Sequence, residues 1–122
     1  MARFLIADDD FDVAWSLSIS LRSLGHMVRI TDNGRTALEL VRDTAPDILV
    51  ADLFMPEING FDIARLIRDE PALQPIRLIA VTGKPDDATR QRALDAGFDA
   101  VVLKPVDPEI LSGILKKRDP PT

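Results

Sequence analysis

Val50-Ala51-Asp52-Leu53-Phe54-Met55-Pro56 is the segment around which the chain reads. Residues 48–51, Ile-Leu-Val-Ala, form an uninterrupted apolar run that predicts a buried strand. The run ends on one carboxylate, Asp52. Pro56 and the polar Glu57-Ile58-Asn59-Gly60 then predict a turn. Asp52 therefore stands where a buried strand surfaces. In an open α/β sheet, ligands and chemistry gather at the carboxyl ends of the strands. An Asp in this place can equally cap the helix that follows. The other strand ends separate the two readings.

Residues 3–7, Arg-Phe-Leu-Ile-Ala, predict a first buried strand that ends on Asp8-Asp9-Asp10. Adjacent carboxylates disfavour one another's ionisation. Beside a buried sheet they need a cation, and oxygen ligands with room for water suit Mg2+. Asp10 and Asp12 read instead as caps for the next helix, favouring its positive end; Asp8 and Asp9 read as metal ligands. Residues 27–30, Met-Val-Arg-Ile, alternate as an edge strand does. Residues 76–81 predict a fourth strand ending on Thr82-Gly83, where a hydroxyl and a close-lying backbone suit a bound anion. Residues 100–103 predict a fifth strand ending on Lys104-Pro105. A lysine at the mouth of a buried strand needs an anionic partner.

Helices fill the intervals. Residues 11–24 place Val13, Leu17, Leu21 and Leu24 on one face, with Gly25 as the stop. Trp15 and Ile19 fall on the opposite face, as a contact site or as partly buried packing. His26, the single histidine, reads as an ordinary surface residue. Residues 36–43 place Ala37, Leu40 and Val41 together, and Pro46 ends that pattern. A helix opens at Gly60 with Ile63 and Ile67 one turn apart, and Pro71 and Pro75 bracket a loop. Residues 85–96 offer mainly Ala88, Ala93, Leu94 and Ala96, so this helix should be the least firmly held. Residues 108–117 predict a last amphipathic helix that buries Ile110, Leu111, Ile114 and Leu115.

The 122 residues fit one domain, expected over residues 1–118, with 119–122 as a tail or the start of a linker. At 46% hydrophobic and 29% charged, the chain should be a soluble globule. No apolar run is long enough to span a bilayer, and no secretory signal is evident, which suits the cytoplasm. With no cysteine, disulfides, thiolate metal sites and Cys nucleophiles are excluded. A net charge of −5, with Lys116-Lys117-Arg118 as the one basic cluster, argues against a nucleic-acid surface.

Five alternations of strand and helix predict a doubly wound parallel α/β sheet with helices on both faces. The order 2-1-3-4-5 would put strands 1 and 3 side by side where the winding reverses, which brings Asp8, Asp9 and Asp52 together. Thr82 and Lys104 would reach the same rim. Three carboxylates, a hydroxyl and a lysine suit phosphoryl transfer: a carboxylate attacks phosphorus, and cations and donors already in place meet the charge of the transition state.

Phe4-Leu5-Ile6-Ala7-Asp8-Asp9, Asp52 with Met55-Pro56 and Gly60, Val81-Thr82-Gly83, Ala93-Leu94-Asp95-Ala96-Gly97 and Val102-Leu103-Lys104-Pro105 resemble, at family spacing over nearly the whole chain, the receiver domains of two-component response regulators, including the chemotaxis-regulator type. The resemblance implies a flavodoxin-like (βα)5 fold and a cytoplasmic signalling module rather than an enzyme. It implies Asp52 as phosphoacceptor, and Mg2+ held by Asp9, Asp52 and the Phe54 carbonyl, with Asp8 acting mainly through water. Thr82 and Lys104 would bind the phosphoryl group. The donor would be a phosphohistidine on a histidine kinase or histidine phosphotransfer protein, docking on the helix that carries Trp15 and Ile19. The output would be a partner protein or an attached effector domain.

Departures from the family pattern carry their own expectations. The family's aromatic three residues before the lysine is Val101 here, which has little to rotate. Phe98 replaces a small residue and is expected to form the output surface with its helix. Phe54 and Lys84 lie two residues after Asp52 and Thr82, where the family tunes hydrolysis. Phe54 has no group to orient water, so self-dephosphorylation should be slow. Two other functions compete: a Mg2+-dependent phosphatase with an Asp nucleophile, for which Asp8 and Asp10 make a loose Asp-x-Asp pair and the chain has no room for a cap, and a degenerate receiver serving only protein contacts, against which the intact set of five residues argues.

Overall fold

Continuous apolar runs need cover on both faces, and the chain supplies it by alternating strand and helix. The computed structural model describes residues 2–83 and 86–116. In chain order these are β1 (Arg3–Ala7), α1 (Phe11–Ser23), β2 (Met27–Thr31), α2 (Gly34–Thr44), β3 (Ile48–Asp52), α3 (Gly60–Asp69), a 3-10 turn (Pro71–Leu73), β4 (Arg77–Thr82), α4 (Asp87–Ala96), β5 (Ala100–Leu103) and α5 (Pro108–Lys116). The sheet is parallel throughout, in the order β2-β1-β3-β4-β5. It is a doubly wound α/β fold, and β1 and β3 meet where the winding reverses.

The period of two along each strand sorts the core. Leu5, Ala7, Leu49, Ala51, Leu78 and Ala80 face one way, into a core shared with α2, α3 and α4. Phe4, Ile6, Ile48, Val50, Ile79 and Val81 face the other way, with Leu17 and Leu21 of α1 and Leu111 of α5. All five residues of β3 are buried, Asp52 included. Each Leu or Ile buried to this degree contributes about 2 kcal/mol. Asp52 is held at its strand end by that apolar burial.

Each of the first four helices starts from a side-chain cap. Asp10, Asn33, Asn59 and Asp86 accept from the backbone N–H of Val13, Thr36, Asp62 and Thr89. Such caps contribute about 1 kcal/mol each and fix where the loop beyond each strand stops. The start of α3 is seated hard against β3. A Cβ added at Gly60 would lie 2.7 Å from the Asp52 carbonyl oxygen and 2.9 Å from Leu53 Cα. The Gly60 N–H donates to Leu53 O at 2.9 Å.

Several predicted burials fall elsewhere. Leu24 lies one residue past α1 and is exposed; Ala14 and Ser18 share the buried face with Leu17 and Leu21. α2 begins at its cap, two residues before the predicted start, and buries Leu38, leaving Leu40 half-covered. On α4 only Ala93 and Ala96 are buried among the described residues, while Ala88 and Leu94 are exposed. That helix buries two of its four predicted apolar residues. Ile110 is exposed on α5, and Leu111 takes the core position. The expectations for Lys84, Pro85, the Leu115 side chain, Lys117 and the 119–122 tail lie outside the described residues.

His26 is not an ordinary surface residue. Its Nδ1 accepts from the Ala2 N–H at 3.1 Å and its Nε2 meets Ser112 Oγ at 3.3 Å. Its ring stands edge-on to Phe4 at 4.9 Å. A nitrogen that accepts a backbone N–H carries no proton, so Nε2 holds the hydrogen and donates to Ser112. Burial lowers the pKa of His26 below its ordinary value, because a charged imidazolium would lose water there. The imidazole thus joins the start of β1 to α5.

Candidate functional site

The carboxyl ends of β1, β3, β4 and β5 deliver the predicted residues to one rim. Register pairs Ala7 with Ala51, so Asp8 leaves β1 beside Asp52 of β3. Asp8 is anchored twice: its N–H donates to Thr31 O at 3.1 Å, and its Oδ1 accepts from the Asp10 N–H at 2.9 Å. Carboxylate oxygens of Asp8, Asp9 and Asp52 all lie within 4.8 Å of one another. Asp8 and Asp52 are buried, while Asp9 faces solvent.

Lys104 closes the cluster from β5. Its Nζ stands 3.1 Å from Asp52 Oδ2 and 3.0 Å from Asp8 Oδ2. The Lys104 N–H donates to Thr82 O at 3.0 Å, so β4 positions the lysine's backbone. The Lys104–Pro105 peptide is cis. Thr82 is buried at the end of β4, one strand from Asp52. The Phe54 N–H donates to Asp52 Oδ1 at 3.2 Å, which directs the carboxylate.

Burial pushes the pKa of Asp52 up, because a carboxylate at a strand end loses water. The Phe54 N–H and the Lys104 ammonium pull it back, Asp8 adds to the rise, and the net direction is up. Burial alone would lower the pKa of Lys104. Its hydrogen bonds to Asp8 and Asp52 more than offset this and hold the ammonium firmly charged. Three carboxylates against one ammonium leave excess negative charge. Hard oxygen donors with this charge fit Mg2+, which takes few protein carboxylates and keeps several waters.

The remaining predicted residues divide. Trp15 and Ile19 lie exposed on the outer face of α1. Phe11 stacks on Trp15 with ring centroids 6.0 Å apart, and Arg22 lies 5.8 Å from the Trp15 ring centroid. A groove lined by Val13, Ser16, Leu17, Pro105 and Val106 runs along this helix. Val101 is buried and brings no aromatic to the sheet's rim.

Phe98 does not form an output surface. It is 4% exposed and belongs to the core under α3 and α4. Gly97, at φ 118°, turns the chain back at the end of α4, and the Phe98 N–H donates to Ala93 O at 3.1 Å. The turn aims the ring inward, where it fills space that the small side chains of α4 leave.

Two features lay outside the sequence reading. One is the ion pair between Lys104 and Asp8. The other is a stack beside the site. Phe54 is exposed and meets Phe61 edge-on at 5.8 Å, and the Arg92 guanidinium of α4 lies 3.9 Å from the centroid of the Phe61 ring. No local pattern signals Arg92, because its partner is on another helix.

The family model of the response regulator receiver domain matches residues 4–116. The DNA-binding response regulator MtrA of Mycobacterium tuberculosis H37Rv is 32% identical over 116 residues, which cover 95% of this chain and 50% of MtrA. The chain thus spans about half the length of that relative. The signal receiver domain of a signal transduction histidine kinase from Syntrophus aciditrophicus superposes with a TM-score of 0.86 at 29% identity, over 97% of this chain and 89% of that one. The receiver domain of the sensor histidine kinase PA1611 from Pseudomonas aeruginosa PAO1 gives a TM-score of 0.86 at 25% identity, over 95% of each chain; that structure holds a magnesium ion coordinated in its active-site cleft.

Proposed function

This chain belongs to the response regulator receiver domain family, and on that premise we propose that it is a phosphorylation-switched signalling module with Asp52 as the acceptor. The observation that carries the reading is the meeting of the Asp8, Asp9 and Asp52 oxygens within 4.8 Å, with Lys104 bridging two of the three residues.

The donor is a phosphohistidine of a histidine kinase or histidine phosphotransfer protein. An Asp52 oxygen attacks phosphorus, a P–O bond forms, and the P–N bond breaks. The imidazole leaves with the electron pair, and Asp52 becomes an acyl phosphate. Asp9, Asp52 and the Phe54 carbonyl would hold Mg2+ directly, and Asp8 through water. When bound, Mg2+ supplies positive charge to the oxygens of the transferring group. Lys104 supplies a second positive charge, already in place at the strand end, and Thr82 supplies a hydroxyl from the neighbouring strand.

Trp15 and Ile19 form the kinase-facing surface on α1, beside the groove that reaches Pro105 and Val106. The phosphorylated module acts on a partner protein or on an effector domain joined through residues 119–122, with residues 1–118 as the receiver unit in the cytoplasm. Neither nucleic acid nor membrane is a ligand of this domain in that scheme. No helix among the described residues is long and apolar enough to cross a membrane. The Asp10 side chain caps α1 through the Val13 N–H, which takes it out of the Asp-x-Asp pair that a phosphatase would use.

Incubation with acetyl phosphate and Mg2+, read by intact mass, tests the reading. One Mg2+-dependent phosphoryl group is expected. A chain that takes none from acetyl phosphate or from a histidine phosphotransfer protein contradicts it.

A further inference from the structure

The absence of an aromatic at position 101 leaves open how α4 would sense events at Asp52. The Asp52 carboxylate accepts the Phe54 N–H at 3.2 Å, so any group added to Asp52 changes what that amide meets. The Phe54 ring is exposed, and its described ring neighbour is Phe61, edge-on at 5.8 Å. Phe61 is itself 1% exposed, locked in the core as the second residue of α3. Its ring faces the Arg92 guanidinium at 3.9 Å, a stacked cation–π contact. Arg92 belongs to α4, which buries only Ala93 and Ala96 among the described residues. A helix with so small an apolar anchor is easily shifted, and a side-chain clamp then has a large share in where it sits.

We propose that the stack Phe54–Phe61–Arg92 couples Asp52 to α4, with Arg92 as the positioning residue that fixes the helix in its resting place. This rests on the phosphoacceptor reading of Asp52. In the resting protein, Arg92 holds α4 against α3 through Phe61. Modification of Asp52 withdraws or redirects the Phe54 N–H, Phe54 shifts its edge on Phe61, and the clamp on α4 weakens. Val101 takes no part, because a buried valine has no alternative rotamer that exposes a signalling surface.

The test is an amide NMR comparison of native protein, Arg92→Ala and Arg92→Lys, each titrated with beryllofluoride and Mg2+ as a phosphoryl mimic. Arg92 is an exposed side chain, so both variants should fold. In the native protein, amides of the acid cluster and of α4 should both move. In Arg92→Ala the cluster amides should still move, while the displacement across α4 falls by about threefold or more, because the helix already lies off its resting place. Arg92→Lys, which keeps a cation over the ring, should restore part of it. Full α4 displacement in Arg92→Ala, or no recovery in Arg92→Lys, overturns the coupling and leaves the phosphoacceptor reading intact. Cluster amides that stay still in the native protein overturn both.

Discussion

The Lys104 ammonium stands as close to Asp8 as to Asp52, 3.0 Å against 3.1 Å. The lysine therefore neutralises half of a carboxylate pair on two neighbouring strands, and its removal has two opposite consequences. Lys104→Met keeps the stem and deletes the charge. Mg2+ should bind about tenfold more tightly, because a positive charge a few ångströms away is gone. Phosphorylation of Asp52 should fall by about a hundredfold or more, because a donor set for the transition state is gone too. Calorimetry and a phosphorylation time course, run on the same variant, read the two effects. A loss of Mg2+ affinity would show the lysine to be structural.

Asp9 is the exposed member of the acid cluster. In Asp9→Asn, repulsion at the rim is relieved and the metal-free protein should gain about 0.5–1 kcal/mol. The same substitution removes an oxygen anion from the cation site. Saturating Mg2+ should raise the Tm of the native protein and leave that of the variant nearly unchanged. Thermal unfolding with and without Mg2+ decides it.

Gly60 sits where α3 meets the end of β3. Its absent side chain leaves room for the Asp52 carbonyl and the Leu53 backbone, neither of which can move aside as a flexible side chain would. Gly60→Ala should cost about 1–3 kcal/mol in urea unfolding. It should also slow phosphorylation, since the shift falls on Asp52 itself. Unchanged stability would mean that β3 tolerates displacement at its end.

His26 gives the fold a pH dependence away from the acid cluster. Its pKa is lowered, so the folded state favours the neutral ring. The stabilisation is present in full above the unfolded value of about 6.5 and is lost as pH falls through the folded value below it. Arg3, Arg22, Arg29 and Asp43 line the same cavity. Urea midpoints should fall as pH drops below about 6.5, and the fall should be smaller in His26→Asn. Equal slopes in the two proteins would remove His26 from the account.

The strands and the polar residues at their ends were legible because both signals are local. An apolar run such as residues 48–51 announces a buried strand, and the Asp52 that follows it announces the rim. Alternation and handedness limited the topologies, and the order 2-1-3-4-5 was the one that brings Asp8, Asp9 and Asp52 together. What escaped depends on partners far along the chain. His26 is held by Ala2 and Ser112, and nothing near residue 26 reports them. Phe98 reads as a free aromatic on a loop until the left-handed turn at Gly97 folds it under α4. Leu38 takes the core position predicted for Leu40 because the buried stripe of α2 runs through Gly34, Ala37, Leu38 and Val41. Arg68 of α3 donates to Gln74 O and Ile76 O in the loop that follows it and to Gly97 O and Asp99 Oδ2 beyond α4, and nothing near residue 68 reports the latter pair.

The identity of the acceptor is tested most directly by trapping it. Protein treated with acetyl phosphate and Mg2+ is reduced with borohydride, which converts an aspartyl phosphate to homoserine, and the peptides are sequenced by mass spectrometry. The account predicts homoserine at position 52 and nowhere else, with none formed when Mg2+ is chelated. Homoserine at position 8 or 9, or an unmodified residue 52 in a protein that has gained a phosphoryl group, would contradict it.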